Sequence, residues 1–411
     1  MPDLTEIFTL LFADDVVLIS DTVIGLQNQL NVLRRKSNEF GLTVNTDKSK
    51  VLVFRLGGHL AYHEKWHIGD DRLEVLNNYK YLGMMFSTKL CTNTALQDLA
   101  NRAKSAATKI IRTMHKLNSI SCDIFFKLFD SQVQPILLYA SEVWGMESCD
   151  IIENVHLFSL KKFLNVSRQT PNTMIYSETG RYSLSINTTL RSVKYWLRII
   201  KIPHSRLPRK AYEMMKMRLG VKDNWYTKLK AVLSEHGFEQ YCTSERVTNE
   251  TDFLRSLRQR LIDSFDRRWH EKITGSDRYV LYRLIKPCRY LEDYLLKVDI
   301  KVIRNSMIRF RLGISDIYSH RNRFSKGQTN DTCPVCNEDE EDDVHFVLQC
   351  PAYEDLRQKY LQLESLTRDL NTLVYLFSNT DDSKTRGIAL YIFHASKRRR
   401  SAQSTLLSEF V

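Results

Sequence analysis

No apolar run in these 411 residues approaches the roughly 20 needed to cross a bilayer. The N-terminus, MPDLTEIF, has no basic stretch ahead of an apolar core. The sequence therefore predicts neither a signal peptide nor a transmembrane helix, and points to an intracellular chain, nuclear or cytoplasmic, without a membrane partner. Internal repeats and extended low-complexity tracts are absent as well. Acids are scarce in two stretches. Residues 194–218 carry eight Lys or Arg against Glu213 alone, and residues 301–326 carry seven against Asp316 alone.

What is present is globular. Apolar residues make up 43% and aromatics 10%, and the length suffices for two or three domains with proper cores. Sixty Lys and Arg against 48 Asp and Glu leave a net charge of +12, which favours a polyanionic partner. In the two acid-poor stretches Tyr195, Trp196, Phe310, Tyr318 and Phe324 interleave with the cations, offering phosphate contacts and stacking faces together. Candidate contacts to nucleic acid are Lys194, Arg198, Arg209, Lys210, Arg304, Arg309, Arg311, Arg321 and Arg323. The plainer reading is a pair of amphipathic helices with solvated basic faces. Of eight cysteines, Cys91, Cys122, Cys149, Cys242 and Cys288 stand singly and read as reduced, partly buried thiols.

The stretch TLLFADDVVLIS, residues 9–20, sets Asp14 and Asp15 between two apolar runs that read as short strands. Ala13, Asp14 and Asp15 then form the tip of a hairpin, without the glycine a plain turn would carry. Paired carboxylates on an apolar hairpin suit a divalent cation; aspartates in a solvated turn are the other reading. Leu26, Leu30 and Leu33 fall at helical spacing up to Gly41, and a strand is expected through Val51, Leu52, Val53 and Phe54. NNYKYLGMMFS reads as one more strand, with Gly83 permitting close backbone approach. Residues 89–150 turn helical, with the second helix interrupted before Pro135, and residues 151–330 form a largely helical basic region.

Near the C-terminus stands Cys333-x2-Cys336-x8-His345-x4-Cys350. Three thiolates and one imidazole suit a tetrahedral Zn2+, and four protein ligands leave no open position for catalysis, so the site is structural. Seven Asp or Glu and no Lys or Arg lie between Asp331 and Cys350. Such a knuckle repels a phosphate backbone and would face a basic surface, residues 301–326 being one candidate. SKRRRS, residues 396–401, reads either as an import signal or as a solvated helix end.

Taken in order, these motifs resemble the reverse transcriptases of non-LTR (LINE-type) retrotransposons over residues 7 to about 356. LLFADD is similar to the catalytic hairpin, GLTVNTDKSK to the palm motif that follows it, and YKYLG to the primer grip. LFDSQVQPILLYASEVWG is similar to a helical thumb segment and CPVC…HFVLQCP to the C-terminal zinc knuckle. The resemblance implies Mg2+ at Asp14 and Asp15, a general acid at Lys48, and contact of Tyr81 and Gly83 with an RNA template and DNA primer or their duplex. It implies an α+β chain: a partial palm over 1–88, thumb-like helices over 89–150, the basic helical region over 151–330, the knuckle over 331–355 and a helical tail over 356–411. In the family a further metal-binding aspartate lies upstream, and two-metal chemistry needs carboxylates from both palm strands. Thirteen residues precede Asp14 here. The expectation is an RNA-directed DNA polymerase fragment, inactive alone and dependent on a missing half in trans for Mg2+ chemistry. The alternative is a non-catalytic RNA- or DNA-binding protein derived from such an element.

Overall fold

A computed structural model describes residues 7–55, 57–89, 91–117, 121–147, 149–217, 224–276, 280–322, 331–363 and 367–409. Two compact units are built from interleaved segments of the chain. One comprises Met1–Arg102, Leu137–Ile152 and Asn187–Leu257, the other Ala103–Ile136, Glu153–Ile186 and Arg258–Val411. Architecture is mostly helical with a few small strands, an α+β chain.

In the first unit β1 (Thr9–Phe12) and β2 (Asp15–Leu18) pair antiparallel with Phe12 opposite Asp15, so Ala13 and Asp14 make the turn. Ala13 stands at φ +51°, a left-handed conformation that costs an alanine roughly 1–2 kcal/mol. The helix α1 (Val23–Glu39) begins at Thr22, whose hydroxyl accepts from the Gly25 amide. It lays Leu26 and Leu30 on a small core of Val51, Trp66, Ile68 and Leu73. Four two-residue strands line that core: β3 (Lys50–Val51), β4 (His67–Ile68), β5 (Asp71–Arg72) and β6 (Glu74–Val75). The strand expected through Phe54 stops at Val51, because its parallel partner β6 offers only Glu74 and Val75; Phe54 lies in the open.

The single strand expected across NNYKYLGMMFS is instead a hairpin of β7 (Asn78–Tyr81) and β8 (Met84–Ser87). Leu82 and Gly83 turn it with φ of +45° and +80°, the pair of positive angles that a tight hairpin of the favoured hand requires. The Tyr139 hydroxyl donates to the Leu82 carbonyl at 2.6 Å and Arg102 to the Gly83 carbonyl at 2.9 Å. A Cβ on residue 83 would stand 3.3 Å from the Tyr139 ring, so glycine suits both the angle and the space. Among the described residues every sheet has two strands. An extended sheet, as a polymerase palm implies, is not formed among them.

Helix α2 (Thr92–Lys116) buries Leu96, Leu99, Ala103, Ala107, Ile110 and Met114, a helical stripe along its length. The interruption expected before Pro135 is a π-turn, Phe129–Val133, between the helices Cys122–Leu128 and Gln134–Leu137. Proline has no N–H to donate, and a widened turn absorbs the missing bond without breaking the helix.

The second unit closes around charged groups as well as apolar ones. Arg311, at the end of the Lys301–Arg311 helix, reaches Glu178 at 3.2 Å and Glu292 at 2.9 Å. Lys286 donates to Glu292 at 2.5 Å, and Tyr282 to Glu178 at 2.9 Å; Tyr294 also donates to Glu178. None of these residues is more than 5% exposed. Two cations balance two carboxylates, and the tyrosine hydroxyls occupy remaining lone pairs, which is the condition for burying such a group.

Candidate metal centre and nucleic-acid interface

Cys333, Cys336, His345 and Cys350 converge, with one ligand atom from each lying within 4.8 Å of all the others. A short antiparallel ribbon bridging Thr332 and Glu340 presents the first pair: the Cys333 amide donates to the Asp339 carbonyl and the Glu341 amide to the Asp331 carbonyl, both at 2.7 Å. Between them Asn337 takes φ +60° and donates to the Cys333 carbonyl, while the Val335 and Cys336 amides point at the Cys333 sulfur. The second pair flanks a π-turn, His345–Gln349.

The spacing fits a tetrahedral ion. The edge between two thiolates around Zn2+ measures about 3.8 Å; Cys333 and Cys350 are 3.9 Å apart at sulfur, and Cys336 sulfur lies 3.5 Å from His345 Nε2. The sulfur–sulfur distance is far too long for a disulfide. The donor set explains the electrostatics too. The Cys350 thiol donates to Cys333 and holds it well below the usual thiol range, while the same contact and burial push Cys350 up. Two thiols in so small a space compete for one negative charge, and a divalent cation ends the competition by taking both as thiolates. His345 Nδ1, buried and without a hydrogen bond among the described residues, faces the Asp339 carboxylate at 3.7 Å. A carboxylate there would orient the ring of a metal-bound histidine through the nitrogen that does not hold the metal. These four residues could hold a metal such as zinc.

The acidic run beside them is partly neutralised from within. Arg399, in the Asp382–Glu409 helix, makes a two-pronged contact to Glu341 at 2.5 and 2.6 Å, with both side chains buried. Glu341 also accepts the Tyr318 amide at 2.8 Å, and Asp343 pairs with His320 at 2.7 Å. The 301–326 stretch thus meets the acidic run through the Tyr318 amide and His320, but the arginine there comes from SKRRRS. The run 396–401 is helical and only partly solvated: Lys397 and Arg400 are exposed, Arg399 is buried, and Arg398 is bound to Asp355 at 2.7 Å.

The cations expected to meet nucleic acid divide by burial. Lys194 and Arg198 are exposed one turn apart on the Leu184–Ile199 helix, and Arg321 is exposed; Arg309 is exposed but 3.6 Å from Asp316. Three others face inward, and their assignment to phosphate is corrected. Arg209 is held by Glu213 at 2.8 Å and Glu245 at 2.9 Å. Arg304 is buried over the Phe163 ring, and Arg311 belongs to the interior network with Glu178. Lys210 is half-buried, and Arg323 lies outside the described residues, as does Phe324. Trp196 and Phe310, read as stacking faces, are core residues.

Asp14 and Asp15 are both exposed, as are Leu11 and Phe12 beside them, so the hairpin is not the dry cradle its apolar runs suggested. Among the described residues no third His, Cys, Asp or Glu joins the pair. Lys48 is exposed on a turn whose backbone is fixed: its amide donates to the Asn45 side chain at 3.0 Å and its carbonyl accepts from Tyr79 at 2.7 Å. Tyr81 is half-buried, 6.3 Å from Phe86 between ring centres.

Sequence reading passed over the outer face of α2. Lys104, Lys109, Arg112 and Lys116 are exposed there, and Lys104 lies over the Phe158 ring. Its signal was available: no Asp or Glu occurs between Asp98 and Asp123. Among the described residues no helix is long and apolar enough to cross a membrane.

Comparison with known proteins places these features. The chain is 32% identical over 134 residues to an uncharacterized transposon-derived protein of Caenorhabditis elegans, a match covering 32% of this chain and 47% of that one. It is 23% identical over 168 residues to the RNA-directed DNA polymerase from the mobile element jockey of Drosophila funebris, covering 39% of this chain and 18% of the polymerase. The chain therefore spans about half the length of the first relative and about a fifth of the second. No family profile and no solved structure matches it. It is a protein of mobile-element origin.

Proposed function

We propose that the chain is a fragment of a non-LTR retrotransposon reverse transcriptase that holds nucleic acid and a structural Zn2+ but does not polymerise alone. The likeness to a mobile-element polymerase supports the class. The observation that carries the rest is the solvated Asp14–Asp15 pair without a third carboxylate among the described residues. Two-metal phosphoryl transfer needs ligands enough to clamp both ions about 4 Å apart. Purified chain with Mg2+, nucleotides and an RNA template annealed to a DNA primer is expected to give no extension product. Incorporation that Asp14→Ala abolishes would overturn this reading.

The second reading, a non-catalytic RNA- or DNA-binding protein, is favoured by the exposed cations of α2. Replacing Lys109, Arg112 and Lys116 together by glutamine is expected to weaken binding to an RNA–DNA duplex about tenfold near 0.1 M salt. The slope of log K against log salt should fall by about 2–3, near 0.9 for each phosphate released. Fluorescence anisotropy over a salt series measures both; an unchanged slope removes α2 from the interface.

A further inference from the structure

The Glu250–Thr274 helix carries another cationic surface, and neither reading above uses it. Beyond Leu257 its inner side is Ile262, Trp269 and Ile273. Phe265 meets the rings of Tyr176 and Tyr182 edge-on, and Trp269 donates its indole N–H to the Thr173 carbonyl at 3.2 Å. At about 100° per residue, the side opposite these anchors presents Arg260, Ser264, Arg267 and Arg268, with Lys272 at its margin. All four cations are exposed.

The helix's acids do not neutralise them. Asp266 is turned to Arg289 at 2.7 Å, and Asp263 accepts from the Gln259 amide at 2.8 Å. Glu271 shares the arginine face, yet among the described residues no side chain of Arg260, Arg267, Arg268 or Lys272 has a hydrogen-bond or ion-pair partner. Arg268 and Lys272, four residues apart, repel each other, and among the described residues neither Asp263 nor Glu271 closes an ion pair with any of the four cations.

The geometry points to the kind of anion. Arg260 and Arg268 are separated by about 12 Å along the axis, the width of the major groove of B-form DNA, and guanidinium groups bind phosphate in two-pronged fashion. No exposed aromatic stands among them, since Trp269 is buried; a surface for unstacked single strands would need one. We propose that this face binds the sugar–phosphate backbone of a nucleic-acid duplex across one groove, without reading sequence. The inference rests on the chain being a nucleic-acid binder, and adds a second contact surface and a preference for paired over single strands.

The test uses the full chain with its metal, fluorescence anisotropy, and two dye-labelled probes of equal length, a B-form DNA duplex and a DNA single strand that cannot pair with itself. Arg260→Gln/Arg267→Gln/Arg268→Gln is expected to weaken duplex binding about tenfold near 0.1 M salt and to lower the salt slope by about 2–3, leaving single-strand binding within about twofold. Glu271→Gln is expected to tighten duplex binding severalfold, a gain that misfolding cannot produce. Unchanged duplex affinity and slope in the triple variant, with wild-type binding intact, overturns the proposal and leaves the α2 reading standing. Equal losses on both probes overturn the duplex preference. Failure of the wild type to bind either probe overturns the nucleic-acid reading itself.

Discussion

Removing the metal with a strong chelator, or replacing Cys350 by alanine, is expected to unfold the region around residues 331–361. Four-ligand zinc sites contribute on the order of 10 kcal/mol to the structure they close. Here the ligands frame the core: Phe346, Val347 and Leu348 lie between His345 and Cys350 with no exposure, and Tyr391 donates to the Phe346 carbonyl at 2.7 Å. Without the ion, Cys333 and Cys350 return to competition for one proton in a buried space, and the contacts of Glu341 with Arg399 and Tyr318 are left to anchor the ribbon that presents Cys333. Hydrogen exchange across 331–361, read beside bound zinc by atomic absorption, measures the effect. Cobalt substitution should give the intense thiolate absorption of a tetrahedral site. Cys122→Ala serves as the control, because that thiol is buried apart from the cluster, and burial is the main cause that pushes it up to about 12. A metal-free chain with full protection in this region would sink the assignment.

Arg311→Leu is expected to cost about 3–5 kcal/mol, the penalty for leaving buried carboxylates without their cation. Glu178 and Glu292 would then share Lys286 alone, with all three groups out of water. Burial already pushes the Glu292 carboxyl up despite Arg311 beside it, so the variant would be driven to take up a proton there. Urea unfolding followed by circular dichroism measures the loss, and a cost below about 1 kcal/mol would show that the network is not what holds this core. Nucleic-acid affinity of the folded fraction should match the wild type, in contrast to a surface cation. Glu178→Gln combined with Arg311→Met should recover part of the loss, since the two changes remove both signs of charge together.

How much of this was legible depended on how far apart the interacting residues lie in the chain. The knuckle ligands sit within eighteen positions, and a metal's geometry imposes local spacing, so Cys333, Cys336, His345 and Cys350 could be picked out directly. The first hairpin was legible for the same reason, its two strands being joined by two residues. Charge patterning was not. Arg311 meets a glutamate 133 positions away, and Arg399 meets one 58 positions away. A count of cations in a window cannot show that such a partner exists, and acid-poor stretches therefore looked more solvent-facing than they are. In α2, by contrast, a long acid-free stretch coincides with real exposure, because the apolar stripe consumes one side and leaves the lysines nowhere to fold back.

The Arg399–Glu341 contact makes the knuckle answerable to translation far downstream. A ribosome can complete all four metal ligands by residue 350, yet Glu341 waits for a cation that emerges nearly fifty codons later. A frame interrupted in that interval leaves Glu341 with the Tyr318 amide but without the guanidinium that completes its contacts.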